Sequence, residues 1–307
     1  PTPTGWTTMG EVAVGNELLG ADGRPTRVVA ATDVMLGRPC YEVEFSDRTV
    51  IAADAAHQWL TETRASRKSA QAAAVTYNRY KNQRTFAAVR TTGEIAGSLR
   101  CDTQDRRLNH SVVNARALDL PDREFLVPPY TLGAWLGDGT SAAAQITTVD
   151  PEIVMRIEAD GFVAAVGTLQ ARLRTIGVLG NKHIPTEYLR GSEAQRRALL
   201  AGLLDTDGTV TAGGAVQFSV TSQRLACDVA ELIVSLGYRC QTSTKRVQGR
   251  HESSSIAYTL TFSTEDKVFA LERKAVAHKE RRAAVGTARS GSRFIVDVRP
   301  IGSVAVR

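Results

Sequence analysis

The sequence predicts a mixed fold: an all-β domain built from both ends of the chain, interrupted by a pseudo-symmetric α/β domain of two repeats. Three observations predict it. Residues 1–62 alternate short apolar segments with turn residues, residues 286–307 have the same character, and one helix-ending segment occurs twice between them. At 307 residues the chain exceeds what one core usually needs. Its 43% hydrophobic and 23% charged content is that of a globular protein, not a disordered or fibrous one. No apolar run approaches the roughly 20 residues of a membrane span, so no membrane partner is expected. Lysine plus arginine exceed aspartate plus glutamate by 38 to 32, a net +6 that puts polyanions first among partner classes.

In the first stretch, Ala21-Asp22-Gly23, Gly37-Arg38-Pro39 and Ser46-Asp47-Arg48 are turn signals. Tyr41, Val43 and Phe45 alternate with Cys40, Glu42 and Glu44, the period of a half-buried strand. Cys40, Cys101, Cys227 and Cys240 form no CxxC pair, which argues against a zinc site or a disulfide framework and for a reduced, cytoplasmic setting.

Residues 63–120 read as a basic insertion. From Thr63 to Gly93 there is no acid, while Arg64, Arg67, Lys68, Arg79, Lys81, Arg84 and Arg90 are interleaved with Tyr77, Tyr80 and Phe86. Phosphate contacts beside aromatic platforms suit DNA, with the first six of these cations as the candidate contacts; a solvated basic loop is the alternative.

Residues 121–285 contain the repeat. Leu132-Gly133-Ala134-Trp135-Leu136-Gly137-Asp138-Gly139 returns as Ala201-Gly202-Leu203-Leu204-Asp205-Thr206-Asp207-Gly208, with the last aspartates 69 positions apart. A strand-like segment is expected after each copy, and an amphipathic helix from Arg224 to Leu236, stopped by Gly237. Gly133 and Gly137, and Gly202 and Thr206, are four apart and share a helix face, so two backbones can approach closely. Such pairing brings Asp138 and Asp207 together at helix C-termini, where a carboxylate is disfavoured. A hard divalent ion, Mg²⁺, would offset the repulsion and serve phosphodiester hydrolysis.

Both segments resemble the LAGLIDADG motif of homing endonucleases, the second as Leu200-Ala201-Gly202-Leu203-Leu204-Asp205-Thr206-Asp207-Gly208. The resemblance implies that Asp138 and Asp207 bind the catalytic metal. Lys182-His183-Ile184-Pro185 is similar to the family's Lys-x-Ile-Pro block, which implies that Lys182 lies near the scissile phosphate.

Such domains commonly sit inside inteins, and the flanks are similar to the intein (Hint) fold over residues 1–62 and 286–307. Thr4-Gly5-Trp6 through Val14-Gly15-Asn16 resembles the N-terminal splicing block, and Asp54-Ala55-Ala56-His57 the block usually written Thr-x-x-His. The resemblance implies that His57 polarises the scissile peptide and protonates its leaving nitrogen, that Asp54 orients His57, and that Trp59 marks a class 3 intein. Class 3 inteins use an internal cysteine near the C-terminal end. None of the four cysteines has that position, which by the family pattern follows Val304-Ala305-Val306-Arg307; the terminal His-Asn and the first few residues are likewise expected outside this sequence. Splicing then needs no cofactor, and the partners are duplex DNA of the intein-less allele and host flanks, those of a replicative DNA helicase. No GxxxxGK[ST] loop is present, so ATPase activity does not belong to this segment. A monomer is expected. The rival readings are a free-standing LAGLIDADG DNA endonuclease and a catalytically decayed DNA-binding module.

Overall fold

The computed structural model describes residues 1–73, 85–162, 166–247, 255–283 and 291–306. The first stretch forms β1 (Glu17–Leu19), β2 (Pro25–Arg27), β3 (Cys40–Phe45), β4 (Val50–Asp54), β5 (Gln58–Thr61), α1 (Arg64–Ala73), β6 (Ala88–Thr91), α2 (Thr92–Gly97) and β7 (Ser111–Val113). Next come α3 (Pro129–Asp138), α4 (Pro151–Ala159), α5 (Val166–Thr175), α6 (Thr186–Leu189) and α7 (Glu193–Asp207). The remainder is β8 (Gly208–Val210), β9 (Val216–Val220), α8 (Gln223–Ser235), β10 (Cys240–Arg246), β11 (Ile256–Phe262), α9 (Glu272–Ala283) and β12 (Ser292–Ile301).

These elements gather into two compact units. A β unit comprises Thr7–Asn16, Arg27–Asn114 and Gly291–Arg307. Its main sheet has the order β4-β3-β12-β7, so the two ends of the chain share one sheet. Ile301 lies opposite Cys40 and Val298 opposite Val43, with a register shift between Ile295 and Asp297. The β3–β4 hairpin turns through Arg48 at φ 72°, a left-handed residue inside the Ser46-Asp47-Arg48 turn signal. Val43, Phe45, Ile95 and Ile295 form the core, with Trp59 packed against it.

The α/β unit comprises Pro1–Trp6, Glu17–Thr26 and Ala115–Ser290. Helices α3 and α7 lie at its centre. An antiparallel sheet of order β10-β11-β9-β8 is covered by α8, whose Leu225, Val229, Leu232 and Ile233 are buried. That helix ends as expected at Gly237, which has φ 83°.

Three sequence expectations need correction. Residues 63–120 are not one separate arm: β6 pairs with β5 and β7 with β12, so 63–114 belongs to the β unit and 115–120 to the other. Residues 1–6 and 17–26 pack in the α/β unit and not in the β domain expected over 1–62. The repeats also differ. Among the described residues the first copy is followed only by a Gly139–Ile146 bridge, whereas the second is followed by β8 and β9. Residues 140–150 are rich in Ala, Ser and Thr and lack the apolar alternation of Val216-Gln217-Phe218-Ser219-Val220.

Candidate active sites

The first site is built by glycine. A Cβ on Gly133 would overlap Leu199 O, one on Gly202 would overlap Tyr130 O, and one on Gly137 would overlap Thr206 Oγ1. Two helix backbones touch along this face, as the four-residue spacing predicts. Helix α7 starts in a Ser192/Gln195 capping box, and α3 starts with Pro129 in its first turn. Both end in an extended glycine, Gly139 at φ −74° and Gly208 at φ −77°. Glycine is needed there for space, because a Cβ would meet the Trp135 or Leu204 carbonyl.

Asp138 and Asp207 therefore emerge, exposed, at neighbouring C-termini. Partial burial and the Asp138 charge raise the Asp207 carboxyl above its ordinary value, with Lys182 and Lys274 opposing. Lys182 Nζ donates to Leu136 O at 2.9 Å and Gly137 O at 3.3 Å. Lys274 Nζ donates to Leu204 O at 2.9 Å, Asp205 O at 2.8 Å and Gly208 O at 2.8 Å. Each lysine caps the orphan carbonyls of one paired helix and offsets its dipole. Burial lowers both ammonium groups, and the aspartates raise them.

Lys274 escapes a reading of the sequence. The 69-residue repeat carries Lys182 onto position 251, inside the connection between β10 and β11, and the second lysine instead comes from α9. Asp205 sets it in place. Buried between the helices, Asp205 accepts from Tyr130 Oη at 2.9 Å and from the Ala270 and Leu271 amides at 3.1 Å, anchoring the start of α9. The first motif has Leu136 at this position.

The donor set of this site is two carboxylates flanked by ammonium groups, and no cluster of three or more His, Cys, Asp or Glu that could hold a metal occurs among the described residues. One or two carboxylates with positions left for water and phosphate oxygens suit a hard divalent ion of the magnesium kind.

The second site lies in the β unit. His57 is exposed beyond β4, and its ring meets Trp59 edge-on at 4.8 Å between centroids. The Asp54 carboxylate does not turn to His57: it is buried and paired with Arg38 Nε at 2.5 Å. Asp54 meets His57 through the main chain, its carbonyl accepting the His57 amide at 3.2 Å. The residue that fixes this loop is Thr92. Its Oγ1 accepts from Trp59 Nε1 at 2.9 Å, and its amide donates to His57 O at 3.0 Å; the next amide, Gly93, donates to Ala55 O at 3.0 Å. The start of α2 thus holds the His57 turn. Its capping box, Thr91 with Glu94, is a sequence signal that would have located it.

Of the basic run, Arg64, Arg67, Lys68 and Arg90 lie among the described residues. Arg64 is tied to Asp105 at 3.2 Å, and Arg67 donates to Ser111 Oγ at 2.8 Å and lies over the Phe294 ring. Both make these contacts within the β unit. Lys68 is exposed, and Arg79, Lys81 and Arg84 lie outside the described residues.

A LAGLIDADG-like domain family matches residues 194–274, from α7 to Lys274. Replicative DNA helicase DnaB of Mycobacterium intracellulare is 88% identical over all 307 residues, which are 53% of that protein. DnaB of Mycobacterium leprae (strain TN) is 79% identical over 61 residues, 20% of this chain and 10% of that one. The chain thus spans about half the length of the first relative. Among solved structures, the MchDnaB-1 intein (N145AA) is 53% identical over 37% of this chain and 61% of its own, with a TM-score of 0.24. The Msm DnaB1 intein splicing domain bound with zinc is 79% identical over 20% of this chain and 50% of its own, with a TM-score of 0.20.

Proposed function

We propose that this chain, which is similar to mycobacterial DnaB inteins and carries a LAGLIDADG-like domain, excises itself from DnaB flanks by the class 3 route and cuts the intein-less allele of the host gene. The observation that carries the nuclease half is the pairing of Asp138 and Asp207, from repeats 69 residues apart, with a lysine capping each helix.

In splicing, exposed His57 polarises the upstream scissile carbonyl and gives a proton to the departing nitrogen. Trp59 and Thr92 hold the histidine in place, and the Asp54–Arg38 pair stiffens the strand end before it. The nucleophile is the internal cysteine that the family pattern puts after Arg307, and no cofactor takes part. In DNA cleavage, Asp138 and Asp207 would hold Mg²⁺, and the chemistry that ion would supply is activation of water and charge stabilisation at a phosphodiester. Lys182 and Lys274 stabilise charge on the phosphate. The exposed polar strand β10, with Lys245 and Arg246, supplies further contacts to duplex DNA. Both motif copies lie in one chain, so a monomer suffices. No helix among the described residues is long and apolar enough to cross a membrane, and the working compartment is the cytoplasm of the host.

The test is twofold. The precursor with its host flanks should release the chain and join the flanks; failure, with no cysteine following Arg307 in the parent gene, would favour a free-standing endonuclease. The released chain with Mg²⁺ should cut duplex DNA containing the intein-less site. Binding without cutting would favour a decayed DNA-binding module.

A further inference from the structure

Thr4-Gly5-Trp6 begins the stretch that resembles the splicing block, yet residues 1–6 are held by the α/β unit. Thr2 and Gly5 close a tight turn, the Thr2 amide donating to Gly5 O at 2.8 Å and the Gly5 amide to Thr2 O at 3.3 Å. Gly5 has φ 155°, a conformation that favours glycine. Against the turn lies Arg190, which follows α6 and is only 1% exposed.

The Arg190 guanidinium is matched to this turn. Nε donates to Thr2 O at 2.9 Å and Nη2 to Gly5 O at 2.9 Å. Nη1 donates to Glu231 Oε1 at 2.8 Å, and the same oxygen accepts from Trp6 Nε1 at 2.9 Å. The Trp6 ring centroid is 6.0 Å from the guanidinium, and Arg123 Nη2 adds a bond to Pro3 O at 3.3 Å. Turn carbonyls lose little in water, but a buried guanidinium deprived of two acceptors loses much. Arg190 therefore needs the turn as its acceptor, and the recognised element is main chain followed by an indole N–H.

We propose that Arg190 and Glu231 are positioning residues for splicing, forming a clamp that fixes the stretch of chain on the upstream side of Thr7, where the β unit begins. The inference rests on the splicing reading above. It makes the nuclease-like unit a contributor to the upstream splice step although none of its groups touches the reacting atoms. Arg196, equally buried in the same unit, is bonded to Gly191, Ser235 and Leu118 and not to this segment, so of the two buried arginines only Arg190 holds it.

The test uses the full precursor with its host flanks, carrying Arg190→Met, Arg190→Lys, Glu231→Gln or Trp6→Phe. Trp6 is 64% exposed, so its substitution leaves the core intact if Arg190→Met does not fold. Upstream and downstream cleavage are timed separately. Arg190→Met and Glu231→Gln should slow upstream cleavage roughly tenfold, the measure of one lost charge-assisted hydrogen bond, with downstream cleavage within about twofold. Arg190→Lys should recover only part of the rate, because an ammonium lacks the fork that meets two carbonyls; Trp6→Phe should slow it about threefold. Unchanged upstream cleavage in the folded variants, or equal slowing of both cleavages, overturns the proposal. A wild-type precursor that does not splice overturns the splicing reading itself, and the clamp's role with it.

Discussion

Asp138 and Asp207 stand at helix C-termini, where the dipole disfavours a carboxylate, and at Asp207 partial burial and the Asp138 charge add to that. The Asp207 carboxyl is therefore raised in the folded chain above its unfolded value. Its ionisation costs nothing below the unfolded value, and the full cost is present once pH has passed the folded one. Asp138→Asn removes the like-charge part of that cost. It should stabilise the protein at neutral pH by less than about 1 kcal/mol, since solvent reaches both carboxylates, and give no gain in acid. The same substitution should lower Mg²⁺-dependent DNA cleavage roughly a hundredfold or more. Thermal melts at two pH values and a cleavage assay check the pair of outcomes; a destabilised neutral-pH protein would contradict the electrostatic account. Arg38 carries the residue-scale counterpart in the β unit. Arg38→Met leaves the buried Asp54 carboxylate without its partner and should cost about 1–3 kcal/mol in urea unfolding. The resemblance to the Thr-x-x-His block had Asp54 orient His57, whereas its carboxylate pairs with Arg38; that pairing was not legible, because it forms only when β3 and β4 lie side by side with Cys40 opposite Asp54.

At the scale of elements, the paired helices were legible because a repeated glycine spacing has one packing consequence. Gly202→Ala would bring a Cβ within 2.7 Å of Ala134 N and into the Tyr130 carbonyl. The helices must separate, and the expected cost is about 3 kcal/mol or more with loss of cleavage, read from denaturation and DNA assays. A stable Gly202→Ala protein that still cuts would contradict the close contact. The strands were less legible. Val216–Val220 alternates and forms β9, whereas the residues after Asp138 do not alternate and make only a bridge. Lys274 was hidden for a related reason: the two copies reach their lysines through different connections, so sequence distance from one copy does not transfer to the other. Helix α2 was missed beneath the acid-free run although Thr91-Thr92-Gly93-Glu94 is a capping box. Thr92→Val tests its role. It deprives the Trp59 indole of an acceptor and should cost about 1–3 kcal/mol and slow splicing while leaving DNA cleavage unchanged.

At the scale of the whole molecule, composition indicated that both chain ends are β-rich, and the pairing of β3 with β12 joins them in one sheet. The boundaries of the interruption were not readable, because β6 and β7 are 4 and 3 residues long and find partners far away in sequence. Those pairings carry a consequence for folding. The Asn114 amide donates to Gly291 O at 2.9 Å, and Ser111–Val113 runs antiparallel to Ser292–Phe294, so the β unit loses and regains the chain at adjacent residues. A hairpin turn of about 2–5 residues can bridge such a gap. Replacing residues 115–290 by a short glycine-containing turn should therefore leave a β unit that melts cooperatively with its main sheet intact. Residues 1–6 and 17–26 would lose their partners in that variant, including Arg190 and Glu231. In a precursor with host flanks, the shortened chain should fold yet cleave slowly at the upstream junction, by roughly the tenfold expected for Arg190→Met. Loss of cooperative melting would show that the interruption is needed for the β core; wild-type upstream cleavage in a folded protein would show that the first six residues need no holding.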